Sequence, residues 1–74
     1  MKTYRFSVVV EKDEDGYFAF CPELQGCYTQ GNSYEEALEN IKDAIRLHLE
    51  DRLEVGEEIL QPESISLTSL EVAV

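Results

Sequence analysis

The chain has 74 residues, of which 43% are hydrophobic, and this length allows one small domain with a single core. Sixteen acidic residues against six lysines and arginines give a formal charge of −10, which repels phosphate and makes nucleic acid a poor direct ligand. The sequence has no run of about 18 apolar residues and no charged-then-apolar leader. We therefore expect a cytoplasmic protein of one domain, residues 1–74, that binds a basic partner rather than nucleic acid or a membrane.

Three short β-strands are predicted in the first 30 residues. Apolar and polar side chains alternate over residues 4–11, which is typical of a half-buried strand. Asp15-Gly16 predicts a hairpin turn, because both residue types tolerate a positive φ angle. The returning strand is predicted at 17–21, and a third strand follows a short loop at 27–30.

One long helix is predicted over residues 34–54. Ser33 is a suitable N-cap, Glu36 completes a Ser-x-x-Glu capping box, and Gly56 is a suitable C-terminal stop. Such a helix is about 30 Å long against ~26 Å for an eight-residue strand, so its last turn should overhang the sheet. At 100° per residue the apolar side chains share one face: Tyr34, Ala37, Leu38, Ile41, Ala44, Ile45, His48 and Leu49.

The C-terminal residues 65–74 are β-rich and partly alternating, and we interpret them as a fourth strand. The expected fold is α+β in the order β-β-β-α-β, with one small sheet covered by a single long helix. The stretch 33–65 is long enough for a crossover to a parallel strand. A sheet covered on one face predicts a dimer or higher oligomer, for which Val9, Leu47 and Leu53 are candidate subunit contacts.

The residues that could support catalysis or bind a metal are not arranged as a site. The predicted first strand has no acid between Thr3 and Val10, and the helix acids lie on its polar face, so converging carboxylates are not expected. Two cysteines and one histidine cannot supply the four ligands of a zinc site within one chain. We therefore expect no enzymatic activity, no metal and no cofactor.

Several residues allow a functional as well as a structural interpretation. Cys21 and Cys27 flank a short loop and could form a disulfide, although a reducing cytosol favours two small apolar side chains. His48 is either a general base or pH-sensitive contact, or a structural histidine partly buried on the sheet. The aromatic side chains could stack on bases, but few basic residues surround them, which favours core packing and a subunit contact: Tyr4, Phe6, Tyr17, Phe18, Phe20 and Tyr28.

The middle of the chain carries an ordered set of motifs. They are Asp15-Gly16-Tyr17-Phe18-Ala19, Cys21-Pro22-Glu23-Leu24-Gln25-Gly26-Cys27, Thr29-Gln30-Gly31 and Glu35-Glu36-Ala37, with Asn40 and Ala44-Ile45. This set, from about residue 4 to residue 49, resembles the HicB-like antitoxin family. The resemblance implies a partly degraded RNase H-like domain. It also implies a partner, HicA, a small basic toxin that cleaves mRNA and that the antitoxin neutralises by covering its active site.

HicB antitoxins usually carry a C-terminal DNA-binding domain, whereas the residues after the predicted helix resemble a linker and a strand, so we expect no operator binding. If the resemblance holds, the toxin-facing charges are expected at the hairpin acids Asp13, Glu14 and Asp15 and at Glu23; no family motif identifies them. Two alternatives stay open. One is a standalone oligomeric HicB-like module that binds another protein or a small ligand, and the other is a weak metal-dependent nuclease.

Overall fold

A computed structural model of the chain describes residues 2–74. It contains three strands, β1 (Val9–Asp13), β2 (Gly16–Phe20) and β3 (Tyr28–Gly31), followed by one helix, α1 (Tyr34–Glu54). The strands form an antiparallel sheet in the order β1-β2-β3, and α1 packs on one face of it. The predicted α+β arrangement is confirmed.

The register of the sheet separates two faces. Val10 pairs with Ala19, which pairs with Thr29, and this row lies against α1, where Ala19 is fully buried. Because side chains alternate along a strand, the neighbouring residues lie on the other face. We call this second surface the open face: Val9, Glu11, Asp13, Phe18, Phe20, Tyr28 and Gln30.

The loop between β2 and β3 contributes three of the six buried side chains of the described residues. It is closed by backbone hydrogen bonds, from Cys21 N–H to Cys27 O (3.0 Å) and from Cys27 N–H to Leu24 O (3.1 Å). These bonds turn Leu24 inward, where it is 3% exposed. Among the described residues the buried core consists of Ala19, Cys21, Leu24, Cys27, Ala37 and Ile41.

The helix begins and ends where the sequence predicts. Ser33 Oγ accepts a hydrogen bond from Glu36 N–H at 3.1 Å, so Ser33 is the N-cap. The Glu36 carboxylate accepts from Asn32 N–H at 3.1 Å instead of from Ser33 N–H, so the returning half of the capping box is displaced by one residue.

A Schellman motif ends the helix after Glu54. Gly56 has φ +80°, its N–H donates to Leu53 O, and Glu57 N–H donates to Arg52 O at 2.9 Å. The fully buried residues of α1 lie in its first half, at Ala37 and Ile41, and Ala44 and Ile45 are partly buried against the core. The prediction that Tyr34 belongs to the buried face was wrong. Tyr34 lies at the first position of the helix and is 49% exposed.

The strands are displaced from their predicted positions. β1 begins at Val9 instead of near residue 4, although Phe6 and Val8 still pack against the core as their alternation predicts. β2 begins one residue earlier and β3 one residue later than predicted. The predicted hairpin turn is present at Asp15-Gly16, and within it Gly16 has the positive φ, +132°.

The predicted fourth strand is wrong for the described structure: residues 65–74 form no strand, and the sheet has three. Residues 62–67 lie beside residues 5–9 but do not pair with them as a ladder. Side-chain oxygens already accept hydrogen bonds from backbone N–H groups of this N-terminal segment. Gln61 Oε1 accepts from Arg5 N–H at 2.7 Å and Glu23 Oε1 accepts from Ser7 N–H at 2.8 Å. These groups are therefore unavailable to an incoming strand.

Candidate partner-binding site

An acidic cleft lies between the β1–β2 hairpin and the first turn of α1. Its volume is about 350 Å³. Asp13 and Asp15 enter it from the hairpin, and Glu36 enters it from the helix. Tyr17 pairs with Gly31 at the end of the sheet, which places the hairpin beside the short connection that leads into α1. The remaining lining residues are Gly16, Tyr17, Phe18, Gln30, Gly31 and Asn32.

Local hydrogen bonds fix these carboxylates. Asp13 Oδ1 accepts from Asp15 N–H at 2.8 Å, which holds the turn. Glu36 Oε1 accepts from Asn32 N–H, as described for the helix start. Lys12 is the basic residue of the hairpin, and its ammonium lies 5.9 Å from the centroid of the Tyr17 ring. With the exposed Glu14 on the turn, this end of the molecule carries a clear excess of negative charge.

This arrangement is suited to binding cationic side chains. Exposed carboxylates accept charge-assisted hydrogen bonds from guanidinium and ammonium groups, and the aromatic rings in the lining can contact the apolar stems of those side chains. Asp13 and Asp15 line the cleft and Glu14 lies between them on the turn, whereas their role as toxin-facing charges stays a prediction. Sequence reasoning assigned Glu36 only to helix capping. The short connection from β3 to α1 was the signal that could have placed it in the cleft.

Glu23 lies at the other end of the sheet. It follows Phe20, which pairs with Val9, whereas the hairpin acids begin at Asp13, which pairs with Gly16 at the opposite end of the two strands. Five strand residues separate the two ends by about 14–17 Å. Ser7 N–H donates to Glu23 Oε1 at 2.8 Å and Ser7 Oγ contacts the second oxygen, so this carboxylate fastens the β2–β3 loop to the N-terminal segment.

The candidate subunit contacts fall on different surfaces. Val9 is half-buried on the open face, whereas Leu47 and Leu53 are 58% and 51% exposed on α1. Leu47 and Leu53 are six residues apart, which is about 120° around the helix axis. Leu47 lines a groove with the half-buried His48, Cys27 and Tyr28.

Cys21 and Cys27 are free thiols buried in the core. Burial raises the pKa of each thiol above the ordinary value of 9.0, and for Cys21 the nearby Glu23 carboxylate adds to the increase. Thiols with a raised pKa are poor nucleophiles at neutral pH, which supports their interpretation as small apolar side chains.

Within residues 2–74, no three side chains of His, Cys, Asp or Glu stand close enough together to hold a metal ion. Over the same residues, no helix combines the length and the apolar character that crossing a bilayer requires.

Comparisons with known proteins give relatives in several bacteria and archaea. A UPF0150 protein of Helicobacter pylori is 67% identical over 45 residues, which cover 61% of this chain and 62% of the relative. The UPF0150 protein ssr1765 of Synechocystis is 52% identical over 64% of this chain and 61% of its own length. The matched region thus spans about three fifths of these two relatives.

A third relative matches over nearly its whole length. The UPF0150 protein Ta0767 of Thermoplasma acidophilum is 42% identical over 65 residues, which cover 86% of this chain and 94% of the relative. No solved structure matches the chain.

The family comparison covers most of the sequence. Residues 6–72 match the model described as the HicB_like antitoxin of bacterial toxin-antitoxin systems. This region contains the whole sheet, the helix and every residue that lines the acidic cleft. The chain therefore belongs to the HicB-like antitoxin family.

Proposed function

We propose that this protein is an antitoxin-type binding protein that neutralises a small, basic, mRNA-cleaving HicA-like toxin by direct contact. The observation that carries the proposal is the acidic cleft, formed by Asp13, Asp15 and Glu36, in a chain of the HicB-like antitoxin family. A protein that binds RNA must present a cationic surface, and that surface is complementary to these carboxylates.

The physical mechanism is electrostatic attraction followed by steric exclusion. A formal charge of −10 accelerates encounter with a basic protein, and the effect weakens as salt screens it. Once docked, the antitoxin occupies the surface that mRNA needs. This mechanism requires no catalytic group, metal or cofactor in this chain, and we propose that the protein is not an enzyme.

Other parts of the proposal rest on the family and on composition. We infer a cytoplasmic, homo-oligomeric protein whose residues 1–74 act as one HicB-like domain, of partly degraded RNase H-like type, without direct contact to nucleic acid or membrane. Val9, Leu47 and Leu53 remain the proposed subunit contacts. Glu23 remains a proposed toxin-facing residue, although its carboxylate also binds Ser7.

The first experiment is co-expression of the tagged chain with its chromosomal neighbours, followed by affinity purification and mass spectrometry. We expect a small basic protein to co-purify and to arrest growth when it is expressed alone. Recovery of this chain only with copies of itself would contradict the proposal and favour the standalone oligomeric module.

The second experiment tests the acidic cleft. The variant Asp13→Asn/Glu14→Gln/Asp15→Asn removes three charges, and its Asp13→Asn change keeps a side-chain oxygen that can accept from the backbone N–H two residues on. We expect the association rate with the toxin to fall at least tenfold and its salt dependence to weaken. The matched control, Glu57→Gln/Glu58→Gln/Glu63→Gln, removes three exposed charges beyond the helix and should change the rate much less.

Equal effects of the two triple variants would show that only net charge matters and would overturn the assignment of the cleft. Glu23 is tested separately with the variant Glu23→Gln, because this change also alters the hydrogen bond with Ser7 and can affect stability. Its melting temperature is therefore measured beside its toxin affinity. A loss of affinity at unchanged melting temperature would assign a toxin contact to Glu23.

A further inference from the structure

The open face of the sheet carries a group of aromatic rings that the helix does not cover. The Tyr28 side chain is 62% exposed, and its ring lies 5.8 Å from that of Phe18. The Phe18 ring in turn lies 6.1 Å from that of Phe20. An antiparallel sheet can leave one face to water, but that face is then usually polar. Aromatic rings exposed together in this way are typical of a surface that binds another molecule.

The open face and the acidic cleft form one continuous surface. Asp13, Phe18 and Gln30 line the cleft and also belong to the open face. The cleft is lined by nine residues, whereas a specific protein interface takes about 20–30 residues from each partner. A protein that binds in the cleft therefore contacts surface beyond it, and the open face is the apolar surface that adjoins it.

The register of the sheet places acids and aromatic rings on different sides of the open face. Glu11 and Asp13 are exposed on the edge strand β1, two residues and about 7 Å apart. Glu11 pairs with Phe18 on β2, which pairs with Gln30 on β3, in one row across the sheet. The acids therefore form a rim along β1, and the aromatic rings lie on β2 and β3. An apolar centre with a charged rim is the usual arrangement of a protein interface.

Charge distinguishes between the molecules that bind aromatic surfaces. Single-stranded RNA stacks its bases on such rings, but Glu11 and Asp13 repel its phosphates. A second copy of this chain brings the same formal charge of −10. Among the proposed subunit contacts only Val9 belongs to this face, at the corner farthest from the hairpin. A basic protein is attracted by the two acids, and its guanidinium groups can also stack on the rings. The open face therefore favours a basic protein.

We propose that the open face is the second half of the toxin-binding surface: cationic side chains of the toxin bind Glu11 and Asp13, and its apolar side chains cover the rings of Phe18 and Tyr28. This inference rests on the proposed function, because it names the surface on which that toxin docks. The two parts of the surface act differently. The acids attract the toxin before contact and set the association rate, whereas the aromatic contacts exist only in the complex and set the dissociation rate.

The first test measures the binding kinetics of the basic protein that co-purifies with the tagged chain. Tyr28→Thr removes an exposed ring from the open face and keeps a β-branched residue in β3. We expect the dissociation rate to rise about tenfold and the association rate to change little. The matched control, Tyr34→Thr, removes a ring that is 49% exposed at the start of α1, outside both the open face and the cleft lining. It should change the dissociation rate much less.

The second test concerns the acidic rim. Glu11→Lys reverses a charge on the open face and should lower the association rate about tenfold. Its control, Glu50→Lys on the exposed side of α1, makes the same change in net charge and should lower the rate much less.

A third measurement needs no variant and therefore decides the question even if a variant fails to fold. Hydroxyl-radical footprinting compares the oxidation of side chains in the free wild-type chain and in its complex with the co-purified protein. Tyr28 should be protected in the complex, whereas Tyr34 should stay as reactive as in the free chain.

Several results would overturn the inference and leave the antitoxin role intact. They are an unchanged dissociation rate for Tyr28→Thr, equal effects of Glu11→Lys and Glu50→Lys, and a footprint that does not include Tyr28. Dissociation of a homo-oligomer by Tyr28→Thr at unchanged toxin affinity would assign the face to a second copy. Binding of a single-stranded RNA oligonucleotide to the wild type but not to Tyr28→Thr would assign it to RNA.

Failure of the proposed function gives a different result. A basic protein that binds the open face but does not arrest growth would contradict the antitoxin role and support the surface assigned here to a basic partner. If no basic protein co-purifies, both proposals are overturned.

Discussion

The backbone nitrogen of Ala37 lies 2.5 Å from the position that a β-carbon on Gly31 would occupy, and the Ala37 Cα lies 2.9 Å from it. The last residue of β3 thus meets the first turns of α1 with no side chain between them. Asn40, one turn further along the helix, donates from Nδ2 to Gln30 O at 2.8 Å. These two contacts fix the helix against the edge strand of the sheet.

Gly31→Ala should therefore lower the free energy of unfolding by about 1–3 kcal/mol, as overpacking of a close contact does. The neighbouring atoms belong to the backbone and cannot rotate away. Urea denaturation measures the effect. Ala37→Gly in the same chain should not restore stability, because it leaves the clashing nitrogen and Cα in place. Full rescue by Ala37→Gly would contradict this explanation.

Ile41→Asp should abolish cooperative folding. Ile41 is 1% exposed, and an unpaired carboxylate there would lie among Ala19, Leu24 and Ala37. Leu47→Asp is the matched control on the same helix, at a position that is 58% exposed. Thermal melts followed by circular dichroism should show a transition for Leu47→Asp and none for Ile41→Asp. A cooperative melt of Ile41→Asp would show that a different helix face is buried.

Thr29→Val should preserve or raise stability. Among the described residues, the Thr29 Oγ1 atom is buried and has no hydrogen-bond partner. Replacing an unsatisfied hydroxyl with a methyl group of the same shape removes a desolvation cost of about 1–3 kcal/mol. The control is Thr29→Ser, which keeps the hydroxyl and loses the methyl group, and should be less stable than Thr29→Val. A lower melting temperature for the valine variant than for wild type would indicate a bound water at Oγ1.

Alkaline pH should destabilise the fold through the two thiols. Burial raises the pKa of Cys21 and Cys27 above the ordinary 9.0, so the folded protein favours the neutral thiol. The contribution of the two neutral thiols to the free energy of unfolding is complete below pH 9. It is lost as pH rises through the folded-state pKa, because the unfolded chain releases these protons first. Cys21→Ala/Cys27→Ala should start less stable but lose less stability as the pH rises above 9. Parallel curves of unfolding free energy against pH for the variant and the wild type would contradict the role of the thiols.

The helix could be predicted to the residue because its signals are local. Ser33 and Gly56 act on backbone groups a few positions away, and the apolar face from Ala37 to Leu49 repeats within the helix itself. The faces of the strands followed from alternation, and for the same reason Phe6 and Val8 were placed correctly even outside a strand. The hairpin acids were adjacent in sequence, so their proximity was also predictable.

The remaining features depend on residues distant in the chain. The strand predicted at 65–74 needs a partner edge, and periodicity cannot reveal that Gln61 and Glu23 already bind the N–H groups of Arg5 and Ser7. Leu24 was placed in a loop, and its burial depends on the hydrogen bonds that close Cys21 onto Cys27. Glu36 joins the cleft only because the register of β2 and β3 brings Gly31 to Tyr17.

Each strand pairs only with the strand beside it in sequence, and two residues separate Asp13 from Gly16 and Gly31 from Tyr34. Such a meander closes short loops at little cost in loop entropy, and this favours faster folding than in sheets whose strands pair across distant parts of the chain. The monomer should therefore fold in a single rapid phase whose rate is independent of protein concentration. Association of two copies is bimolecular, so it should follow as a slower phase whose rate rises with concentration.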